Sequence, residues 1–311
     1  AYADARLAQG YSAPLVASVT SVTRSSAPSA LAYDVRTAAP RVFWSDNDSG
    51  SVFSADGDGE GARLLATGVF EVHGLAADGL GHLFYTDANA GTVVKVALDS
   101  ATNYLQTQAA AGVDVARVVT INVGGTVMLQ GLDRPRGIAV DAPNGHVYFT
   151  EASGRIYRAR ADGRNMEASP LKAPRYAKLL MERGSSVRLD GIAVTQGGDG
   201  SHPKSIYWAE ANTNSVWRAS IYGQGPTKIA GASYEMAWPR AVALRQEAGN
   251  AYAPDAHLFW SQYLGRVWRA AGDGTGATAI VDELGTASGY HELEQEIRAS
   301  QATMPHFLNA D

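Results

Sequence analysis

One short pattern constrains this chain more than anything else in it. Two aromatics, a small residue, and an acid or amide occur together five times. They are Phe43-Trp44-Ser45-Asp46, Phe84-Tyr85-Thr86-Asp87, Tyr148-Phe149-Thr150-Glu151, Tyr207-Trp208-Ala209-Glu210 and Phe259-Trp260-Ser261-Gln262. The second aromatics stand 41, 64, 59 and 52 residues apart. A spacing of roughly 40 residues or more is the length of one supersecondary unit, so the chain repeats one structural module.

The flanks repeat too. After each aromatic pair comes a second β-like run, such as Ser51-Val52-Phe53, Arg155-Ile156-Tyr157-Arg158 or Arg266-Val267-Trp268-Arg269. Turns such as Ala161-Asp162-Gly163 carry the Asx-Gly chemistry of tight hairpins. Before each pair lies a strand of small and aliphatic residues: Ala30-Leu31-Ala32, Gly74-Leu75-Ala76, Gly137-Ile138-Ala139, Gly191-Ile192-Ala193 and Ala241-Val242-Ala243. Outer strands are expected at Arg63–Leu65, Lys178–Leu180, Thr227–Ile229 and Thr278–Ile280. Four short strands per unit, with the smallest side chains in the first, fit sheets crowded radially around a central channel. The fold class is all-β, a β-propeller.

The repeat resembles the YWTD repeats of low-density-lipoprotein-receptor-type propellers (class B repeats) over roughly residues 29–282. NHL and SMP30/strictosidine-synthase-like propellers are looser relatives. The resemblance implies six blades. Five are legible, and a degenerate sixth would be closed by residues 14–23 and by the tail 286–311, whose stretch Tyr290–Arg298 reads as helical. Five blades is the alternative. Residues 1–311 are read as one propeller domain, with an insertion at 100–130 in the second clear blade. The runs Arg117–Ile121 and Thr126–Leu129 in it are an elaborated outer strand or a protruding hairpin.

Composition removes whole classes of function. The 45% hydrophobic content suffices for a core, and no run of about 18 apolar residues reads as a membrane span. A net charge of −5 argues against nucleic acid as a partner. With no cysteine, disulfides, thiolate metal sites and cysteine nucleophiles are excluded. A start at Ala1 rather than Met hints at processing, and a secreted or otherwise extracytoplasmic setting is the expectation. Asn47-Asp48-Ser49 is a formal glycosylation sequon.

Propellers hold ligands where loops enter the innermost strands. That register is the residue before each small strand: Ser29, His73, Arg136, Asp190 and Arg240. Around it the strands are uniform, yet this column is polar and varied. Arg136 and Arg240 suit a carboxylate or phosphate. His73 and Asp190 are the candidate catalytic pair, with His73 as base if the two are close. Glu71, Asp133 and Trp238 would add to the rim, Trp238 as a ligand-binding residue. The opposing possibility is that these charges satisfy one another and plug the channel. In SMP30-like hydrolases a metal-binding Asp precedes the corresponding Gly, as Asp190 precedes Gly191. This resemblance supplies one ligand only, so no cofactor is expected. Ca²⁺ or another divalent ion at the channel is a minor alternative.

The loops at Asp46, Asp48, Asp56 and Asp58 alternate oxygen donors as calcium loops do, but lack the bidentate Glu of an EF-hand. Turn chemistry is the preferred reading. The acids closing the aromatic motifs are expected to bond backbone amides between neighbouring blades. His82, His146 and His257 share one repeat position and are read as structural.

Two functions stay open. One is a non-catalytic binding propeller for a protein or glycan partner, alone or as a subunit of a larger assembly. The other is an SMP30-like or strictosidine-synthase-like hydrolase or lyase at the channel mouth. Asp190 bonded directly to Arg136 or Arg240 beneath a closed mouth would exclude the second.

Overall fold

The structure is a computed structural model. It describes residues 27–34, 40–57, 59, 62–69, 71–98, 125–164, 177–195, 204–231, 237–245, 257–263 and 265–281. These form five four-stranded antiparallel sheets, each in simple chain order. Blade 1 contains β1 (Pro28–Asp34), β2 (Arg41–Asp46), β3 (Ser51–Asp56) and β4 (Arg63–Thr67). Blade 2 contains β5 (Val72–Ala77), β6 (His82–Asp87), β7 (Thr92–Ala97) and β8 (Gly125–Gln130). Blade 3 contains β9 (Pro135–Asp141), β10 (His146–Glu151), β11 (Arg155–Arg160) and β12 (Ala177–Glu182). Blade 4 contains β13 (Leu189–Val194), β14 (Ser205–Glu210), β15 (Ser215–Ser220) and β16 (Thr227–Gly231). Blade 5 contains β17 (Pro239–Arg245), β18 (His257–Gln262), β19 (Val267–Ala271) and β20 (Thr278–Val281).

The inner strands pack in sequence, β1 on β5, β5 on β9, β9 on β13 and β13 on β17. β17 and β1 make no comparable contact. The segments expected to form a sixth blade, 14–23 and 286–311, lie outside the described residues. So does Arg117–Ile121, whereas Thr126–Leu129 lies in β8, the outer strand of blade 2.

The paired aromatics follow from strand geometry. Successive side chains on a strand point to opposite faces, so each pair reaches into both neighbouring interfaces. Phe43 and Tyr85 meet in the core between blades 1 and 2. Phe84 and Phe149 meet between blades 2 and 3. Tyr148 and Trp208 meet between blades 3 and 4, and Tyr207 and Trp260 between blades 4 and 5. In each interface the first aromatic of one blade meets the second of the next. The burial of whole β6, β10 and β14 strands, rather than of one face, has the same cause.

The small residue after the pair has a specific task. Thr150 Oγ1 accepts from Gly137 N at 2.9 Å in its own blade and donates to Asp190 O at 2.7 Å in the next. Thr86 Oγ1 likewise donates to Arg136 O, and Ser45 Oγ to Val72 O at 3.4 Å. These hydroxyls join neighbouring inner strands. Thr150→Val removes both bonds inside a dry interface and leaves Gly137 N unsatisfied, so it is expected to cost about 1–3 kcal/mol in urea unfolding, with Thr150→Ser close to wild type.

The motif acids behave differently from the expectation. Three of them bond backbone amides, but within their own blade, while Glu210 takes side chains instead, among them Arg183 Nε at 2.6 Å from the segment after β12. Asp46 Oδ1 accepts from Asp48 N and Ser49 N, Asp87 Oδ1 from Ala90 N, and Glu151 Oε1 from Asp133 N. A carboxylate at the end of a strand reaches the next turn more easily than a neighbouring blade. Asp46 therefore serves its hairpin turn. Asp56 is exposed, and Asp58 lies outside the described residues.

Candidate functional site

A β-bulge interrupts every inner strand where it enters the sheet. The pairing slips between Pro28 and Leu31, Val72 and Gly74, Pro135 and Ile138, Leu189 and Ile192, and Pro239 and Val242. A bulge inserts an unpaired residue and re-aims its side chain. The residues inside these five bulges include Ser29, His73, Arg136, Asp190 and Arg240, the polar column of the sequence. All five line one cavity of about 570 Å³ at the channel mouth. A second cavity, about 240 Å³, lies between the same inner strands and is walled by apolar residues such as Ile138, Val140 and Val194. Polarity is thus concentrated at one end.

Asp190 is the hub of the mouth and is 5% exposed. Its Oδ1 accepts from Arg136 Nε. Its Oδ2 faces Arg240 Nη1 at 3.3 Å and Arg188 Nε at 3.8 Å. One carboxylate therefore meets three guanidinium groups. Arg136 is 4% exposed, and burial, more than any neighbour, pulls its pKa below the usual value while Asp190 opposes that pull. Arg240 and Arg188 are about one-third exposed, although the Arg188 Nε that faces Asp190 is itself buried. At the rim, Arg134 Nη2 pairs with Glu71 Oε1 at 3.2 Å.

His73 stands in this cationic field. Burial and then Arg136, Arg240, Arg188 and Arg134 lower its pKa from 6.5 to about 3. The ring is neutral at pH 7, and its buried Nε2 has no hydrogen-bond partner. A conjugate acid that strong makes a weak base at neutral pH. The same shift affects stability. The folded protein takes up this proton near pH 3 and the unfolded chain near pH 6.5, so the unfolded state binds more protons between those values. Stability therefore falls as pH drops through that window. Allowing for screening at a partly exposed group, about 2 kcal/mol of the wild-type loss between pH 7 and pH 4.5 is expected to disappear in His73→Asn, as read by urea titration at both pH values.

Four predicted site residues thus come together: His73, Arg136, Asp190 and Arg240. Trp238 does not line the cavity. It lies at the rim with φ of 46°, its ring 6.0 Å from that of Tyr263. Asp133 does not line the cavity, and its backbone amide donates to Glu151 Oε1 at 2.9 Å. His82 Nδ1 lies 2.8 Å from Asp78 Oδ2 within a turn, away from the mouth. Among the described residues no group of three or more His, Asp or Glu side chains converges as metal ligands would. Sequence reading passed over Arg188 and Arg134. They stand two residues before Asp190 and Arg136, just outside β13 and β9, where a bulge and, at Arg134, a φ of 50° break the alternation of a strand.

No protein-family model matches the chain, and no curated protein matches it in sequence. Solved structures do. A chain in a nidogen/laminin complex superposes with a TM-score of 0.55 at 19% identity, over 78% of this chain and 75% of that one. The fold is that of a β-propeller. A streptogramin B lyase also superposes on this propeller, with a TM-score of 0.55 at 16% identity, over 85% of this chain and 71% of that one. Virginiamycin B lyase from Staphylococcus aureus matches with a TM-score of 0.51 at 15% identity, over 85% and 87%. At these identities the likeness concerns the fold. No helix among the described residues of the propeller is long and apolar enough to cross a membrane.

Proposed function

We propose that this propeller is a non-catalytic binding module that takes an acidic group of a protein or glycan partner at its channel mouth. The observation that carries this reading is the charge imbalance around Asp190: three guanidinium groups share one carboxylate beneath an open cavity of about 570 Å³. Arg136 is consumed by Asp190 in the buried layer. Arg240 donates to Asp190 through Nη1 alone at 3.3 Å and Arg188 Nε stands 3.8 Å away, and their remaining N–H groups suit a second, incoming carboxylate. That one of the similar structures comes from a nidogen/laminin complex is in keeping with a protein partner.

The hydrolase or lyase reading has its own support. The lyases among the similar structures and the open mouth over His73 both favour it. Against it stand the neutral, weakly basic His73 and an Asp190 carboxylate already shared by arginines. The bond from Arg136 to Asp190 is present, but the mouth above is not closed. The test is calorimetric titration of glutarate, a plain dicarboxylate, into wild type and Arg188→Ala/Arg240→Ala. Saturable, salt-sensitive binding that weakens at least tenfold in the variant supports the module. Equal binding in both proteins contradicts it.

A further inference from the structure

We infer that the rim of blade 5 is a stacking subsite for a sugar ring, so that the acid taken at the mouth is a carboxylated sugar. The inference rests on the acid-binding reading and adds the chemistry of the ligand.

The repeat supplies its own control. In every blade the residue after the motif acid donates its amide to the carbonyl two positions before the mouth residue. The pairs are Asn47 to Ala27, Ala88 to Glu71, Ala152 to Arg134, Ala211 to Arg188, and Tyr263 to Trp238, all between 2.9 and 3.1 Å. Three blades fill the donor position with Ala, so the fold needs no side chain there. Blade 5 puts Tyr there and Trp opposite. Tyr263 is 57% exposed and so open to a ligand. Trp238 has a φ of 46° in front of Pro239, as Arg134 has 50° in front of Pro135, so the repeat sets this backbone and blade 5 alone puts an aromatic ring on it.

The two rings meet at 50°, forming an open notch in place of a closed stack. Arg240 links the notch to the cavity. Its guanidinium lies 5.6 Å from the Tyr263 ring centre and also faces Asp190. A pyranose bearing a carboxylate matches all three features. Its apolar C–H face lies on Trp238 and Tyr263, and its carboxylate reaches Arg240 and Arg188. A peptide carboxylate would use the arginines alone.

The test is titration with trigalacturonate, its methyl ester and glutarate, followed by tryptophan fluorescence and calorimetry on wild type, Tyr263→Ala and Tyr263→Phe. The expected result is saturable trigalacturonate binding that the ester does not reproduce. The ratio of trigalacturonate to glutarate affinity falls at least tenfold in Tyr263→Ala and is kept in Tyr263→Phe. Tyr263 is exposed, so both variants are expected to fold. An unchanged ratio in Tyr263→Ala, or an ester that binds as well as the acid, overturns the stacking subsite while leaving the acid site standing. Failure of wild type to bind either acid overturns both.

Discussion

Asp190→Asn is expected to destabilise the propeller by about 3–5 kcal/mol, a fall in Tm on the order of 10 °C. The side chain keeps its shape but loses its charge, and three guanidinium groups lose the carboxylate they share. Arg136 is 4% exposed and has no water shell to fall back on. The new amide also turns either donors or a single carbonyl toward arginines that only donate. Arg240→Ala should cost far less, because Arg240 is one-third exposed and removing it relieves the imbalance. The variant offers a further check. If the mouth is cationic in excess, millimolar glutarate should raise the Tm of Asp190→Asn more than that of wild type, since the added carboxylate stands in for the missing one. Equal thermal shifts would count against the charge account.

Gly137→Ala should be comparably damaging for a different reason. A Cβ at Gly137 would collide with the carbonyl oxygen of Asp190 and lie 2.8 Å from Ile192 N and 2.9 Å from Gly191 Cα. Every one of these is backbone, so no rotamer change can relieve the overlap. Two inner strands must separate, at a cost of about 3 kcal/mol or more. Since the displaced oxygen belongs to Asp190, glutarate binding should weaken as well. Gly145→Ala is the control. It sits at φ of 62° with open space around it, so it should cost only the roughly 1–2 kcal/mol of a left-handed non-glycine residue and leave binding intact. Unfolding and glutarate titration of both variants separate the two causes.

These expectations show how far the sequence carries. The aromatic pair and the small strand before it report on packing that every blade must repeat, and packing of that kind leaves a periodic trace. The polar column was legible because it breaks the period: His73, Arg136, Asp190 and Arg240 stand where uniform residues would suffice, and all four line one cavity. The charge balance among them was not legible. Arg188 looks like a loop residue, because it stands just before β13 and the bulge at that strand's start hides its place beside Asp190. His73 looks like a base until the four nearby arginines are placed around it. The motif acids misled for a related reason. They recur like the hydroxyls beside them, but Thr150 bridges blades whereas Asp87 closes a turn, and only bond geometry tells the two apart. Tyr263 was hidden because an aromatic beside an aromatic motif looks like part of it.

The most direct test is a crystal structure of the propeller grown with glutarate at saturating concentration. A carboxylate within 3.5 Å of both Arg188 and Arg240, above an intact Arg136–Asp190 pair, is the predicted result. A mouth in which glutarate lies elsewhere, or in which Arg188 and Arg240 close over Asp190 and exclude it, would contradict the reading of this channel as an acid-binding site.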